Sequence, residues 1–168
     1  LAHPIRYLLI SADVPFSEIR LGVSQDATPL SEVEENEEWE SVRSTLNMPF
    51  PNLPYLIDTS GDCEIGLSQS NAILRYLARR FDFYGDSESD RIEIDVLQDE
   101  AYDFRNEIVG TVYTLGKNYA SVFEQFSAST LPRYLDSFEA CLRDRNHKNF
   151  FVGSRLSLVD FVLYELFW

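Results

Sequence analysis

Two stretches, Asn52-Leu53-Pro54-Tyr55-Leu56-Ile57-Asp58 and Gln69-Ser70-Asn71-Ala72-Ile73-Leu74-Arg75-Tyr76-Leu77-Ala78-Arg79-Arg80, decide how this chain folds. The first is a turn feeding a short apolar strand. The second is a polar cap opening an amphipathic helix, with Ile73, Leu74, Leu77, Ala78 and Phe81 on one stripe. Between them, Thr59-Ser60-Gly61-Asp62 has the composition of a hairpin turn and Glu64-Ile65-Gly66-Leu67 that of a return strand. Either Ser68 or Ser70 suits the helix cap. A proline entering a strand after an exposed turn is a candidate for a cis bond, although only about 5–6% of X–Pro bonds in folded proteins are cis. A cis bond before Pro54 turns the Leu53 N–H and C=O outward, free to pair with an extended peptide; an ordinary trans turn proline is the commoner alternative on composition alone. Gln69-Ser70 stands where unpaired N–H groups and the positive dipole end favour a carboxylate; a plain N-cap serine is the commoner meaning. Together these segments make a peptide-docking edge beside a helix N-terminus, which suits a small anionic peptide.

Upstream, Pro4 fits a first helical position. Ile5, Leu8, Leu9 and Ala12 recur at helical spacing, and Pro15 is expected to stop the run. Phe16, Ile19 and Leu21 have strand-like composition. From Glu32 to Glu40 six of nine residues are glutamate, a solvated loop or helix face, and Trp39 is its one bulky anchor. Pro49, Pro51 and Pro54 punctuate the turn that follows.

Downstream the pattern changes. Arg79 and Arg80 sit at a helix C-terminal end, where cations are favoured. Ser87 and Asp90 have the spacing of a capping box, and Leu97, Ala101, Phe104, Ile108 and Val112 mark one face of a long helix. Leu131, Tyr134, Leu135, Phe138 and Leu142 mark another, with Pro132 in its early turns. Ser157 and Asp160 repeat the box spacing, and Leu156 and Phe161 are placed as a hydrophobic staple. The chain therefore reads as α/β over residues 1–82 and all-helical over residues 87–168.

With 168 residues, 45% hydrophobic and 14% aromatic, the chain can build a core. A formal net charge of −14 repels phosphate backbones and anionic lipid, which argues against nucleic acid and membrane partners. No apolar run approaches the roughly 20 residues of a membrane span. Cys63 and Cys141 give neither a disulfide framework nor a zinc spacing, and read as incidental thiols of a reducing cytoplasm. His3 and His147 have no nearby acid–thiol or metal-ligand pattern, so no metal site is expected.

The wording of Asn52–Asp58 and Gln69–Arg80 closely resembles the glutathione-binding half of cytosolic glutathione transferases of the mu class, and the resemblance runs through nearly the whole chain. It implies a thioredoxin-like N-terminal domain followed by an all-helical C-terminal domain. In this chain both are expected to be incomplete: the family's first strand, with its catalytic tyrosine, falls before Leu1, so no catalytic residue is expected within the chain. The apolar ending Phe161–Trp168 likewise suggests a piece of a longer protein, inactive and poorly folded by itself. By the resemblance, Pro54 matches the fold's cis-proline, Gln69 and Ser70 the pair that holds the γ-glutamyl carboxylate, and Asn52 and Leu53 the contacts to the tripeptide backbone. Trp39 and Arg43 match the tryptophan and lysine of the mu pattern, the arginine keeping the charge but altering its geometry. Leu1 matches a leucine beside the sulfur, Asp103 an aspartate that reaches the glutamyl amine across a dimer interface, and Tyr113 a tyrosine of the second-substrate pocket. Phe50 matches an aromatic inserted into the partner subunit. For Tyr113 the bland alternative is packing, and for Asp103 and Arg105 an exposed charged pair.

The activity so implied is cytoplasmic detoxification by a homodimer, conjugating reduced glutathione to apolar electrophiles with no cofactor beyond that co-substrate. A non-catalytic glutathione- or lipophile-binding member of the same fold is the alternative, and a sigma-class isomerase fits less well. Three departures from the family pattern stand out, the first two bearing on glutathione affinity. Asn36, Glu37 and Glu38 stand where the mu pattern has a basic residue. The acidic run Glu32–Glu40 lengthens this loop relative to the usual form, and neighbouring glutamates repel an anion. The hairpin Thr59–Gly66 is also longer than the family's usual form.

Overall fold

The computed structural model describes residues 1–21, 37–114, 118–143 and 149–168. Most of the acidic run before Glu37, Asn36 included, and His147 lie outside the described residues. By contacts the chain divides into two compact units, Leu1–Leu77 and Ala78–Trp168. The division falls inside the helix that the sequence reading carries through to its boundary near residue 82.

In the first unit, α1 (His3–Ser11) carries Pro4 in its opening turn and buries Pro4, Ile5, Leu8 and Leu9. It ends before Pro15 acts. Asp13 adopts φ 53°, and the N–H groups of Asp13 and Val14 donate to the carbonyls of Ile10 and Leu9, a Schellman closure with aspartate in the place usual for glycine. Phe16 to Leu21 does not form the expected strand. Strand-like composition is not enough, because a strand exists only through a ladder with a neighbour, and this segment has none among the described residues. It is tied to α1 instead, where the Arg6 guanidinium donates to the Glu18 carboxylate and holds its pKa below the ordinary value.

A short helix, α2 (Glu37–Arg43), follows. Strands β1 (Tyr55–Asp58) and β2 (Ile65–Ser68) pair antiparallel in the register Tyr55↔Ser68 to Asp58↔Ile65. At the turn end, Asp58 Oδ1 accepts the Ser60 N–H at 2.9 Å. Helix α3 (Ser70–Arg80) then buries Ile73, Leu74, Leu77 and Ala78, the apolar stripe visible in the sequence.

In the second unit α3 closes as α1 does. Asp82 takes φ 61° and the Phe83 N–H donates to the Ala78 carbonyl. Gly85, at φ +75°, leads into α4 (Glu88–Val112); a Cβ there would sit 2.5 Å from the Asp90 Cβ. The Ser87–Asp90 box forms as the spacing predicts: Asp90 N–H donates to Ser87 Oγ at 3.1 Å, and Ser87 N–H donates to Asp90 Oδ2 at 3.0 Å. Ile94, Leu97, Ala101 and Phe104 are buried, but Val112 is 57% exposed and Thr111 takes the inner position. At about 100° per residue, position 111 returns to within about 20° of Phe104 while 112 lies about 80° away.

Helix α5 (Tyr119–Gln125) runs through a π turn (Phe126–Thr130) into α6 (Leu131–Arg143). Pro132 explains the interruption. Inside a helix its ring collides with the carbonyl four residues back, here Ala128, and it offers no N–H; the widened turn absorbs both. The core is aromatic. Phe104 lies 4.6 Å from Tyr134 and 6.2 Å from Phe138 between ring centroids, and Phe138 meets Phe151 edge-on. Leu135, expected inside, is exposed.

Helix α7 (Leu158–Phe167) opens on Asp160, whose carboxylate accepts the N–H of Ser157 at 2.7 Å, its hydroxyl at 2.8 Å and the Phe151 N–H at 3.0 Å. The proposed staple is one-sided: Phe161 is buried edge-on against Phe83, while Leu156 is exposed. Arg155 clasps Asp86 at 2.5 Å and donates to the Asp82 carbonyl, and Leu158 N–H donates to the Phe83 carbonyl at 2.8 Å. Residues 82–86 are thereby stitched to the approach of α7. The α/β plus all-α class read from the sequence holds.

Candidate functional site

The hairpin register assembles the site in the first unit. Tyr55 is paired with Ser68, so Pro54 and Gln69 leave the ladder at the same end. The Leu53–Pro54 bond there is cis. Ser68 does not cap α3. It is buried, and its hydroxyl donates to the Pro49 and Phe50 carbonyls at 3.0 and 2.9 Å, pinning the proline-rich loop against the start of the helix. Gln69 holds the cap position, since its carbonyl accepts the first helical bond from Ile73 N–H at 3.0 Å.

Gln69 does so at φ 69°, a left-handed conformation uncommon for a residue with a Cβ. Such strain costs of order 1–3 kcal/mol and gathers at binding sites. It sets Gln69 and Ser70 at the positive end of the α3 dipole, where a carboxylate is stabilised by about 0.3–1 kcal/mol when exposed.

Leu53, exposed beside the cis bond, presents a backbone edge, but its N–H is engaged: it donates to Asn52 Oδ1 at 2.8 Å. Residue patterns gave no signal for that local bond. Helix α2 reaches the same end of the hairpin because Trp39 stacks on Tyr55, with centroids 6.1 Å apart and planes 25° from parallel. Arg43 lies one helical turn beyond Trp39 and hydrogen-bonds Glu40 at 3.2 and 3.4 Å. Trp39, Asn52, Leu53, Pro54 and Gln69 are thus brought to one end of one hairpin, with Arg43 and Ser70 following directly on α2 and α3. Leu1 precedes α1 and is exposed.

Phe50, on the pinned loop, is 84% exposed and holds φ 50°. Asp103 and Tyr113 belong to the second unit. Asp103 is exposed on α4. Arg105 does not form the exposed pair considered for it; it turns inward to a two-pronged ion pair with Glu165 of α7, with both side chains largely buried. Tyr113 closes α4 and is 58% exposed, so it is not a core packing residue. No group of three or more acids, histidines or cysteines among the described residues could hold a metal. No helix among them is long and apolar enough to cross a membrane.

In overall fold the chain is similar to known proteins. Residues 102–168 match the family model described as glutathione S-transferase, C-terminal domain. Glutathione S-transferase Mu 4 of Rattus norvegicus is 34% identical over 166 residues, 99% of this chain and 69% of that protein. Glutathione S-transferase Mu 3 of Homo sapiens is 32% identical over 168 residues, 99% of this chain and 67% of its own. Among solved structures, the Fasciola hepatica sigma class GST superposes with a TM-score of 0.78 at 24% identity, covering 99% of this chain and 72% of that one. A Caenorhabditis elegans glutathione S-transferase does so with a TM-score of 0.74 at 28% identity, covering 99% and 74%. The chain belongs to the glutathione S-transferase family, and its relatives named here by class from sequence are of the mu class.

Proposed function

We propose that this protein conjugates reduced glutathione, through its thiol sulfur, to apolar electrophiles. The observation that carries the reading is the hairpin register, which sets the cis Leu53–Pro54 edge beside Gln69 at the head of α3. In this reading Leu53 pairs with the peptide backbone as an added strand once Asn52 releases its N–H. Gln69 and Ser70 take the γ-glutamyl carboxylate at the dipole end of α3. Trp39 and Arg43 face the glycine end, and Leu1 stands beside the sulfur. A thiol of pKa near 8.5 is only a few per cent ionised at neutral pH, so catalysis needs a donor that stabilises the thiolate. The family assigns that to the tyrosine of the strand matching no residue of this chain.

Tyr113 is assigned to the electrophile, its hydroxyl donating to oxygen that gains charge. Val109 and Val112, exposed beside it on α4, offer apolar surface to such a substrate. Asp103 is assigned to the glutamyl amine across a two-fold interface, and Phe50 to that interface. The working form is then a cytoplasmic homodimer that needs no further cofactor, and the charge of −14 disfavours nucleic acid and anionic membranes.

The test is conjugation of glutathione to a halogenated nitrobenzene by a protein that contains this chain together with the tyrosine-bearing strand. Ser70→Ala and Gln69→Ala should raise KM for glutathione about tenfold or more while the fold persists. Turnover that needs neither residue would overturn the reading.

A further inference from the structure

The cation assigned to the glycine end of glutathione is already partnered. Helix α2 has the sequence Glu37-Glu38-Trp39-Glu40-Ser41-Val42-Arg43, with one cation against three acids. That cation, Arg43, donates through Nη1 to both carboxylate oxygens of Glu40, at 3.2 and 3.4 Å. Trp39, between Glu38 and Glu40, stacks on Tyr55, the residue after the cis-proline, so α2 is held at the docking edge with its glutamates exposed there. A free C-terminal carboxylate arriving at Arg43 must therefore displace Glu40 and enter a field in which acids outnumber bases. Each glutamate within a Debye length, about 8 Å at physiological ionic strength, weakens the binding of an anion about twofold. A neutral or cationic group in the same place meets no such penalty.

We propose that α2 makes this glutathione site selective for a γ-glutamyl tripeptide thiol whose C-terminal carboxylate is masked, as an amide or a further peptide bond, with Glu40 as the specificity-determining residue. The inference rests on the glutathione reading and deepens it. Glu40 acts as an internal stand-in for the ligand carboxylate: it satisfies Arg43 in the free protein and leaves the amide nothing to displace. The γ-glutamyl end, held at Gln69 and Ser70, is the same in both ligands, so a comparison between them isolates the α2 end.

The test measures binding of S-hexylglutathione and of its glycine amide to the native protein and to Glu40→Gln, by calorimetry. The native protein should bind the amide about threefold more tightly than the free acid. Glu40→Gln should tighten the free acid about threefold and leave the amide unmoved, with an unchanged thermal midpoint showing that the fold is intact. A native protein that binds the free acid as tightly as the amide, or more tightly, overturns the proposal without needing any variant, and so does a ratio that Glu40→Gln does not move. If neither ligand binds, the glutathione reading itself falls, and that outcome is distinct from both.

Discussion

The Tyr76 hydroxyl donates to Asp58 Oδ2 at 2.6 Å, joining the middle of α3 to the last residue of β1. Asp58 also accepts the Ser60 N–H, so one carboxylate fixes both the hairpin turn and the helix that follows the hairpin. Hydrogen bonds to charged groups contribute about 1.5–3 kcal/mol. Tyr76→Phe is expected to lower stability by about 1.5 kcal/mol in chemical denaturation. It should also weaken glutathione binding, because the register that sets Pro54 beside Gln69 depends on that hairpin. Loss of stability without loss of binding would show that the hairpin holds its register unaided.

Gly85→Ala should be among the most damaging small substitutions. The residue holds φ +75° and its new methyl would lie 2.5 Å from the Asp90 Cβ. Backbone strain and displacement of the Ser87–Asp90 box combine, for an expected loss of about 2–4 kcal/mol. Urea midpoints measure it.

The clasp between Arg155 and Asp86 predicts a pH signature. The hydrogen bond from Arg155, then its charge, hold the Asp86 carboxyl below its ordinary value of 3.8. A carboxyl with a depressed folded pKa contributes stability above its unfolded pKa and loses it as pH falls through the folded value. The thermal midpoint of Arg155→Met should therefore fall below that of the native protein at neutral pH. The gap should close as pH drops below 3.8. A gap constant with pH would assign the loss to packing alone.

Much of this architecture was legible in the sequence wherever a few neighbouring residues decide the structure. Both serine–aspartate boxes and the α3 stripe are of that kind; the cis bond before Pro54 is not, since composition favoured trans and only the family resemblance pointed to cis. What failed was decided at a distance. Phe16–Leu21 has the composition of a strand without a partner among the described residues, Ser68 is drawn off the helix cap by two carbonyls of a remote loop, and Arg105 finds Glu165 sixty positions away. At the site, residue types pointed to Gln69 and the family resemblance to Arg43, but neither pointed to the left-handed backbone of the first or the Glu40 carboxylate on the second.

Phe50 combines an 84% exposed ring with φ 50°, a conformation that disfavours residues with a Cβ by roughly 1–2 kcal/mol. Phe50→Gly should therefore stabilise the isolated subunit by about 1 kcal/mol while weakening self-association by roughly 1.5–3 kcal/mol. Sedimentation across a concentration series, with urea unfolding of the monomer, separates the two effects. Unchanged association would remove Phe50 from the interface.

Tyr113→Phe should lower turnover about tenfold to a hundredfold for epoxides, which develop charge on oxygen, and leave glutathione affinity unchanged. Halogenated nitrobenzenes should be much less affected. An equal loss for every electrophile would point to a general structural effect instead.

The π turn ahead of Pro132 has a consequence for the helix that contains it. In an unbroken helix Phe123 and Tyr134, eleven residues apart, would share a face to within about 20°. Here Tyr134 is 5% exposed and Phe123 49%. Five residues wound at π pitch turn the second half by about a quarter of a revolution relative to the first. One continuous rod thereby acts as two tools, its later half closing the aromatic core while its earlier half holds the Tyr119–Phe123 pair outward. Removing one residue from the turn would be a change of aim rather than of length.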